Sequence, residues 1–367
     1  MNSSPNPPQA VAATAGARPP RSTPLHVAAI RQRLRDAGAK RCHEQAVLRA
    51  WTQGLPLTAG ARPAGDFLPR RVRDALPALA AELDGLVRLH AEYAGGDGSA
   101  RLLVSLADGM TVESVLLPPA GLCVSTQVGC AVGCVFCMTG REGLQRQLGS
   151  AEIVAQVVRA RTRRAVGKVV FMGMGEPAHN LDSVMEAIEL LGTEGAIGHK
   201  NLVFSTVGDR RVFERLPQGP VKPALALSLH STFAPRRAAL LPHAARIDPA
   251  ELVEQGERYA RATGYPIQYQ WTLLEGVNDG DDELERIVLL LAGKYAVMNL
   301  IPYNTVAGLG FRRPAWERAA DMARILCARG VLAKLRQSAG QDVDAGCGQL
   351  RARAIAPAPV RFEARAR

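Results

Sequence analysis

From Cys123 onward the chain alternates short apolar runs with amphipathic stretches. Cys123–Val128, Lys168–Met172, Leu202–Ser205, Ala224–Ser228, Ile267–Leu273, Val297–Ile301 and Val331–Arg336 read as strands, being short and rich in Val, Ile and Leu. Helical patterns lie between them. Leu181, Val184, Met185 and Ile188 recur at i, i+3, i+4 and i+7. Ala151–Ala165 follows Ser150 as a cap and carries Glu152 in its first turn. Pro249–Thr263, Asp281–Leu291 and Pro314–Ala328 complete the set. This alternation predicts an α/β fold whose parallel sheet closes, fully or partly, into a barrel.

Upstream the pattern differs. Val27–Ala37, Glu44–Gln53 and Ala75–His90 read as amphipathic helices, and Gly95-Gly96-Asp97-Gly98 ends them. Arg101–Leu106 and Thr111–Leu117 alternate around Ala107-Asp108-Gly109, a hairpin signal. The expected organisation is a disordered tail (1–24), a helical domain (25–95), a β-hairpin adapter (96–122), the barrel (123–350) and a flexible tail (351–367). The Pro-, Ala- and Ser-rich start lacks the apolar core of a secretory signal.

Composition narrows the setting. No apolar run approaches the roughly 18 residues of a membrane span, so a soluble protein without a membrane partner is expected. Four of the seven cysteines crowd between Cys123 and Cys137, which suits the reducing cytoplasm better than a secreted disulfide framework. Lys and Arg number 45 against 34 Asp and Glu, a net charge of +11. That excess reads either as solvated arginine faces or as a surface for a polyanion. Arg159–Arg164 and Arg70, Arg71 and Arg73 lean toward the polyanion.

The unusual polar residues fall at strand ends. Cys130, Cys134 and Cys137 follow the first strand as CxxxCxxC, and Gly173-Met-Gly-Glu-Pro177 follows the second. Ser205-Thr206 ends the third strand, Ser228-Leu-His230 the fourth and Pro302-Tyr-Asn304 the sixth. Carboxyl ends of parallel strands share one face of a barrel, where active sites are built. Three thiolates can hold three corners of a [4Fe-4S] cube and leave one iron open. A structural zinc site would want four ligands, and the second cysteine pair is missing.

At these residues the chain resembles the radical S-adenosylmethionine (SAM) RNA adenine methyltransferases of the RlmN/Cfr family. The resemblance rests on Cys123–Cys137, Met172–Pro177, Leu227–His230, Asn299–Pro302 and Asp342–Leu350, and runs from about His43 to Leu350. It implies a partial parallel (β/α)6 radical-SAM barrel with a small N-terminal helical, RNA-binding domain. It implies Cys130, Cys134 and Cys137 as ligands of one [4Fe-4S] cluster per chain. Gly175, Glu176, Ser205, Ser228, Leu229, His230 and Asn304 become SAM contacts, with two SAM consumed per turnover. Cys347 becomes the cysteine that carries a methyl group, Cys123 the one that resolves a covalent intermediate, and Glu113 the proton acceptor. The partners implied are ribosomal or transfer RNA and an electron donor such as flavodoxin or ferredoxin, with a monomeric enzyme.

The chemistry explains the two extra cysteines. Carbon 2 or carbon 8 of adenine is too electron-poor to attack a SAM methyl group, whereas a thiolate can take it first. A radical at that S-methyl then adds to the ring, and a second thiol must attack the first sulfur to release the product. A base removes the ring proton.

Other residues keep simpler readings. Cys42 and Cys327 are expected as buried thiols, and Glu113 could be an exposed hairpin carboxylate. Several positions depart from the family pattern. Gln337, Ser338 and Ala339 replace Lys-Thr-Arg, Gln147 an Asn, Gln270-Trp271 a Glu-Tyr, and Gly346 an Ala. Those departures are expected to face the nucleotide. The competing functions are a cluster-bearing RNA-binding protein without catalysis and a radical-SAM enzyme of another reaction.

Overall fold

The computed structural model describes residues 23–60, 63–306 and 308–352, so the two expected tails lie almost wholly outside the described residues. The chain opens with helices α1 (Val27–Asp36), α2 (Arg41–Thr52), α3 (Ala64–Phe67) and α4 (Arg70–Gly85). Strands β1 (Val87–Ala94), β2 (Ala100–Leu106), β3 (Thr111–Leu117) and β4 (Gly121–Cys123) follow. Next come β5 (Gln127–Gly129), β6 (Leu144–Gln147), α5 (Ser150–Arg161), β7 (Lys168–Phe171), α6 (Leu181–Gly192) and β8 (Leu202–Thr206). The barrel continues through α7 (Arg210–Arg215), β9 (Ala224–Ser228), α8 (Ala234–Leu240), α9 (Pro249–Thr263) and β10 (Ile267–Leu273). It ends with α10 (Asp281–Leu291), β11 (Ala296–Pro302), α11 (Trp316–Ala328) and β12 (Ala333–Leu335).

One sheet runs β1-β2-β3-β4-β7-β8-β9-β10-β11-β12. Its first three junctions are antiparallel, and every junction from β4 onward is parallel. Helices carry each crossover between parallel strands, as the sequence pattern requires. The sheet is open between β12 and the antiparallel strands, and the segment after β12 spans that gap. Asp342 accepts from the Gly96 amide at 2.8 Å, Asp97 from the Gly340 amide at 2.9 Å and Glu113 from the Arg351 amide at 2.9 Å.

Strand β10 shows how the two faces divide. Ile267, Tyr269, Trp271 and Leu273 are buried against the helices, while Gln268, Gln270 and Thr272 look into the lumen and are half-buried. Register carries that polar face across neighbouring strands, aligning Ser228 with Gln270, Gln270 with Asn299 and Asn299 with Lys334.

Three local expectations change. The helix expected to run to His90 stops at Gly85, and Val87–Ala94 pairs with β2 as an edge strand. Val87, Leu89, Ala91 and Tyr93 alternate with Arg88, His90 and Glu92, the period of a half-buried strand. The expected strand Cys123–Val128 divides: β4 stays in the main sheet and β5 pairs with β6, because Thr126 and Gln127 turn to donate their amides to Met174 O. Ser150 is not the cap of α5. That position belongs to Gly149, whose amide Glu152 accepts at 2.8 Å. The Ser150 hydroxyl instead takes the Val27 amide at 2.8 Å and meets Glu186, fastening the start of α1 to the barrel.

Candidate active site

The cysteine motif forms a loop after β5, packed on Val132, Phe136, Leu240, Leu241 and Tyr303. Burial pushes the Cys130 thiol up to about 12 and Cys134 well above its ordinary range, and Cys134 is further raised by its two neighbours. Main-chain amides oppose this: Val132 and Gly133 donate toward Cys130, and Thr139 and Gly140 toward Cys137. Three clustered thiols that cost free energy as isolated thiolates, already met by N–H donors, fit an iron–sulfur cluster that would take up their charge. Among the described residues, no group of His, Cys, Asp and Glu is set to close on a single ion.

The turn after β7 stands beside that loop. Gly175 has φ +106°, and a Cβ there would lie 2.6 Å from Gln127 Cβ, so glycine is required twice over. Gln127 Oε1 accepts the Glu176 amide at 2.7 Å, and Gln127 Nε2 donates to Gln147 Oε1 at 2.8 Å. Glu176 itself accepts from the Ala178 and Val207 amides at 3.1 and 3.0 Å. Burial still pushes its carboxyl up to about 7, although the Thr206 hydroxyl and these amides pull the other way. Together with the polar ends of β8 and β9, this turn offers groups able to meet an ammonium or a ribose.

His230 sits beyond β9 at φ +58°, with its ring edge-on to Phe136 at 4.9 Å. Its Nδ1 accepts the Thr272 amide at 3.0 Å, so the proton is on Nε2. Burial, helped by Arg237, pushes its pKa down to about 3, so the ring is neutral. Asn278 fixes the backbone here, donating to His230 O at 2.7 Å and Thr272 O at 2.8 Å.

The lone cysteines converge. Cys123 ends β4 opposite Val115, so by strand pairing it shares a sheet face with Val115, Glu113 and Arg101. Burial and the nearby Cys347 push the Cys123 thiol up to about 12. Cys347 lies open to solvent in the loop laid over the cysteine motif, where Met138 N donates to Gly348 O at 2.8 Å. The surrounding protein raises its thiol, the Cys137 charge adds to this, and the Ser338 hydroxyl and Arg336 work against it. Asn304 braces the loop by donating to Ser338 Oγ at 2.9 Å and Cys347 O at 3.0 Å. Gly346 permits this, since a Cβ there would come 2.7 Å from Asn304 Nδ2.

Glu113 is not an exposed hairpin carboxylate. It is fully buried, ion-paired with Arg101, and raised in pKa by burial against the pull of that arginine. Cys42 and Cys327 reverse the other expectation, since both are exposed. Three departures have structural roles within the fold. Gln147 props Gln127 behind the glycine turn, Trp271 is buried on the helix side with its indole donating to Asn278 O at 3.2 Å, and Gly346 makes room for Asn304. Gln127, Arg237 and Asn278 escaped the sequence reading. In the sequence they are an ordinary strand glutamine, one of two adjacent arginines and a turn asparagine.

The Radical SAM superfamily matches residues 124–291. A Leptothrix cholodnii protein named "Probable RNA methyltransferase" is 74% identical over 92% of this chain and 97% of its own length. One from Stutzerimonas stutzeri with the same name is 67% identical over 90% of this chain and 97% of its own. The solved structure of a radical SAM methyltransferase from Sphaerobacter thermophilus shares 36% identity at a TM-score of 0.76, covering 90% of this chain and 98% of that one.

Proposed function

We propose, for a chain that belongs to the radical SAM superfamily and to its RNA methyltransferases, that it methylates a ring carbon of adenine, carbon 2 before carbon 8, through a methylated Cys347. The observation that carries this reading is the approach of Cys347, outside the cluster motif, to a second such thiol, Cys123, and to Cys137 of the motif. The superfamily's cofactors are a [4Fe-4S] cluster and SAM. When bound they supply the methyl group and the one-electron chemistry that activates it.

The chain's own residues take the remaining roles. Cys130, Cys134 and Cys137 hold the cluster. Gly175, Glu176, Ser205, Ser228, Leu229, His230 and Asn304 line the SAM site, with His230 offering a neutral Nε2–H donor. Cys347 would be the methyl acceptor, its sulfur bonding the methyl carbon as the sulfonium's own S–C bond breaks and its thioether departs. After the carbon has joined the ring, the Cys123 thiolate attacks the Cys347 sulfur. The S–C bond would break with its electron pair moving to the carbon, which takes a proton to become the methyl group, and a Cys123–Cys347 disulfide would remain for an external reductant to reopen. Glu113 takes the ring proton, a role its raised pKa supports.

RNA, ribosomal or transfer, is held in this reading by the helical region 25–95, where Arg71 and Arg73 are exposed. All seven cysteines are free, which supports a cytoplasmic enzyme, and in this reading flavodoxin or ferredoxin supplies its electrons. We take the enzyme to act as a monomer. Among the described residues no helix is long and apolar enough to cross a membrane. Mass spectrometry of RNA nucleosides from cells with and without the gene tests the function. A methyladenosine that vanishes without the gene and co-elutes with a carbon-methylated standard is expected. Identical nucleoside profiles would overturn it.

A further inference from the structure

Helix α8 carries two adjacent arginines with opposite fates. Arg236 reaches outward to Asp282 and Glu283, while Arg237 turns inward and is 4% exposed. The Arg237 guanidinium donates through Nε to Leu229 O at 3.2 Å and through Nη2 to Ser228 O at 3.2 Å and to Val207 O. Those carbonyls lie at the ends of β8 and β9. Cys134 and Glu176 stand within electrostatic reach and favour the charged guanidinium. Burial lowers its pKa to about 10, so it stays protonated at neutral pH. The same segment is tied to the cysteine loop, with Val135 N donating to Leu240 O at 3.1 Å and His243 N to Val132 O at 3.2 Å. The cation is therefore fixed beside one thiol of the motif, and neutral carbonyls take its hydrogen bonds.

We propose that Arg237 is a positioning residue that holds a fixed positive charge against the Cys134 side of the cluster and so makes the cluster easier to reduce. One-electron reduction adds a negative charge to the cluster. In a shell of low dielectric a buried cation stabilises that added charge more than it stabilises the oxidised form. The carbonyl contacts keep the guanidinium from swinging out to solvent. This inference rests on the reading of Cys134 as a cluster ligand, which iron and sulfide content of the native protein tests separately.

The test is a redox titration of anaerobically reconstituted full-length protein, followed by electron paramagnetic resonance, with no RNA present. Arg237→Gln keeps a donor for the carbonyls and removes the charge. It should lower the equilibrium constant for reduction roughly tenfold, a shift of about 59 mV to more negative potential. Arg237→Lys keeps the charge and should change that constant less than about threefold. Arg237→Met, neutral and without donors, should shift as Gln does if it loads a cluster. An unchanged potential in cluster-loaded Arg237→Gln would overturn the proposal, as would a Lys variant displaced as far as Gln. Failure of both neutral variants to hold a cluster would also overturn it, assigning the residue to structure alone. If the native protein holds no cluster, it is the ligand reading that fails.

Discussion

At the scale of single residues, His230 shows how the site is stabilised against its own strain. A side chain other than glycine at φ +58° is unfavourable, and Asn278 offsets that cost with bonds to the His230 and Thr272 carbonyls. The ring must also stay neutral, since its pKa falls from an ordinary 6.5 to about 3 on burial. Below pH 6.5 the unfolded chain therefore binds a proton that the folded chain excludes, and stability falls as pH falls. Between pH 6.5 and 5 the loss should be about 2 kcal/mol. His230→Asn keeps an acceptor for the Thr272 amide and tolerates the left-handed backbone, yet cannot titrate. Denaturant unfolding at matched cluster loading should show this pH-dependent loss in the native protein and not in the variant. Equal slopes in both would remove His230 as the source.

At the scale of elements, the arginine runs separate into structural and surface groups. Arg161 donates to Thr52 O, Val166 O and Gly195 O, Arg159 to Val87 O and Arg164 to Gly98 O, while Arg163 pairs with Glu92. The run expected to face a polyanion thus fastens α2 and β1 to α5. Arg161→Met should destabilise the fold by about 2–3 kcal/mol, because buried carbonyls lose a charged donor, and leave RNA affinity unchanged in a filter-binding assay. Replacing Arg70, Arg71 and Arg73 together by Gln should do the reverse. Stability should move by less than about 0.5 kcal/mol, while RNA affinity falls and its salt slope drops by up to about 3. A sequence cannot separate these runs, since both are arginine-rich and the difference lies in which carbonyls the fold brings near. Strand β1 was legible in principle, but its alternation follows α4 without a break, and helical periodicity through Leu79 and Leu83 masked the change of period.

At the scale of the whole molecule, the helical region and the barrel share one core. Ile30, Leu34, Leu48 and Trp51 are buried in the same apolar cluster as Val154, Val157 and Leu191. A chain that begins after Tyr93 would lose that packing, would lose β1 from the sheet edge and would leave β2 with one unpaired edge. Such a truncation should aggregate or fail to load a cluster, as gel filtration and iron analysis would show. A monodisperse, SAM-cleaving fragment would instead make the helical region an independent unit. The barrel was legible because parallel strands buried on both faces leave strong apolar runs, and the site because strand ends gather on one face. What escaped the reading were supports made by contact across the fold: Gln127 and Gln147 under the glycine turn, Asn278 under His230, and Arg237 beside Cys134. None of them carries a local pattern.

The central claim is a division of labour between Cys347 and Cys123, and trapping on RNA tests it most directly. Purified Cys123→Ala, given SAM, reductant and RNA, should become methylated on Cys347 and then stall as a covalent protein–RNA adduct. The adduct should appear as an RNase-sensitive shift on a denaturing gel, and Cys347→Ala should give neither the methyl nor the shift. Normal turnover by Cys123→Ala, or methylated RNA from Cys347→Ala, would contradict the account.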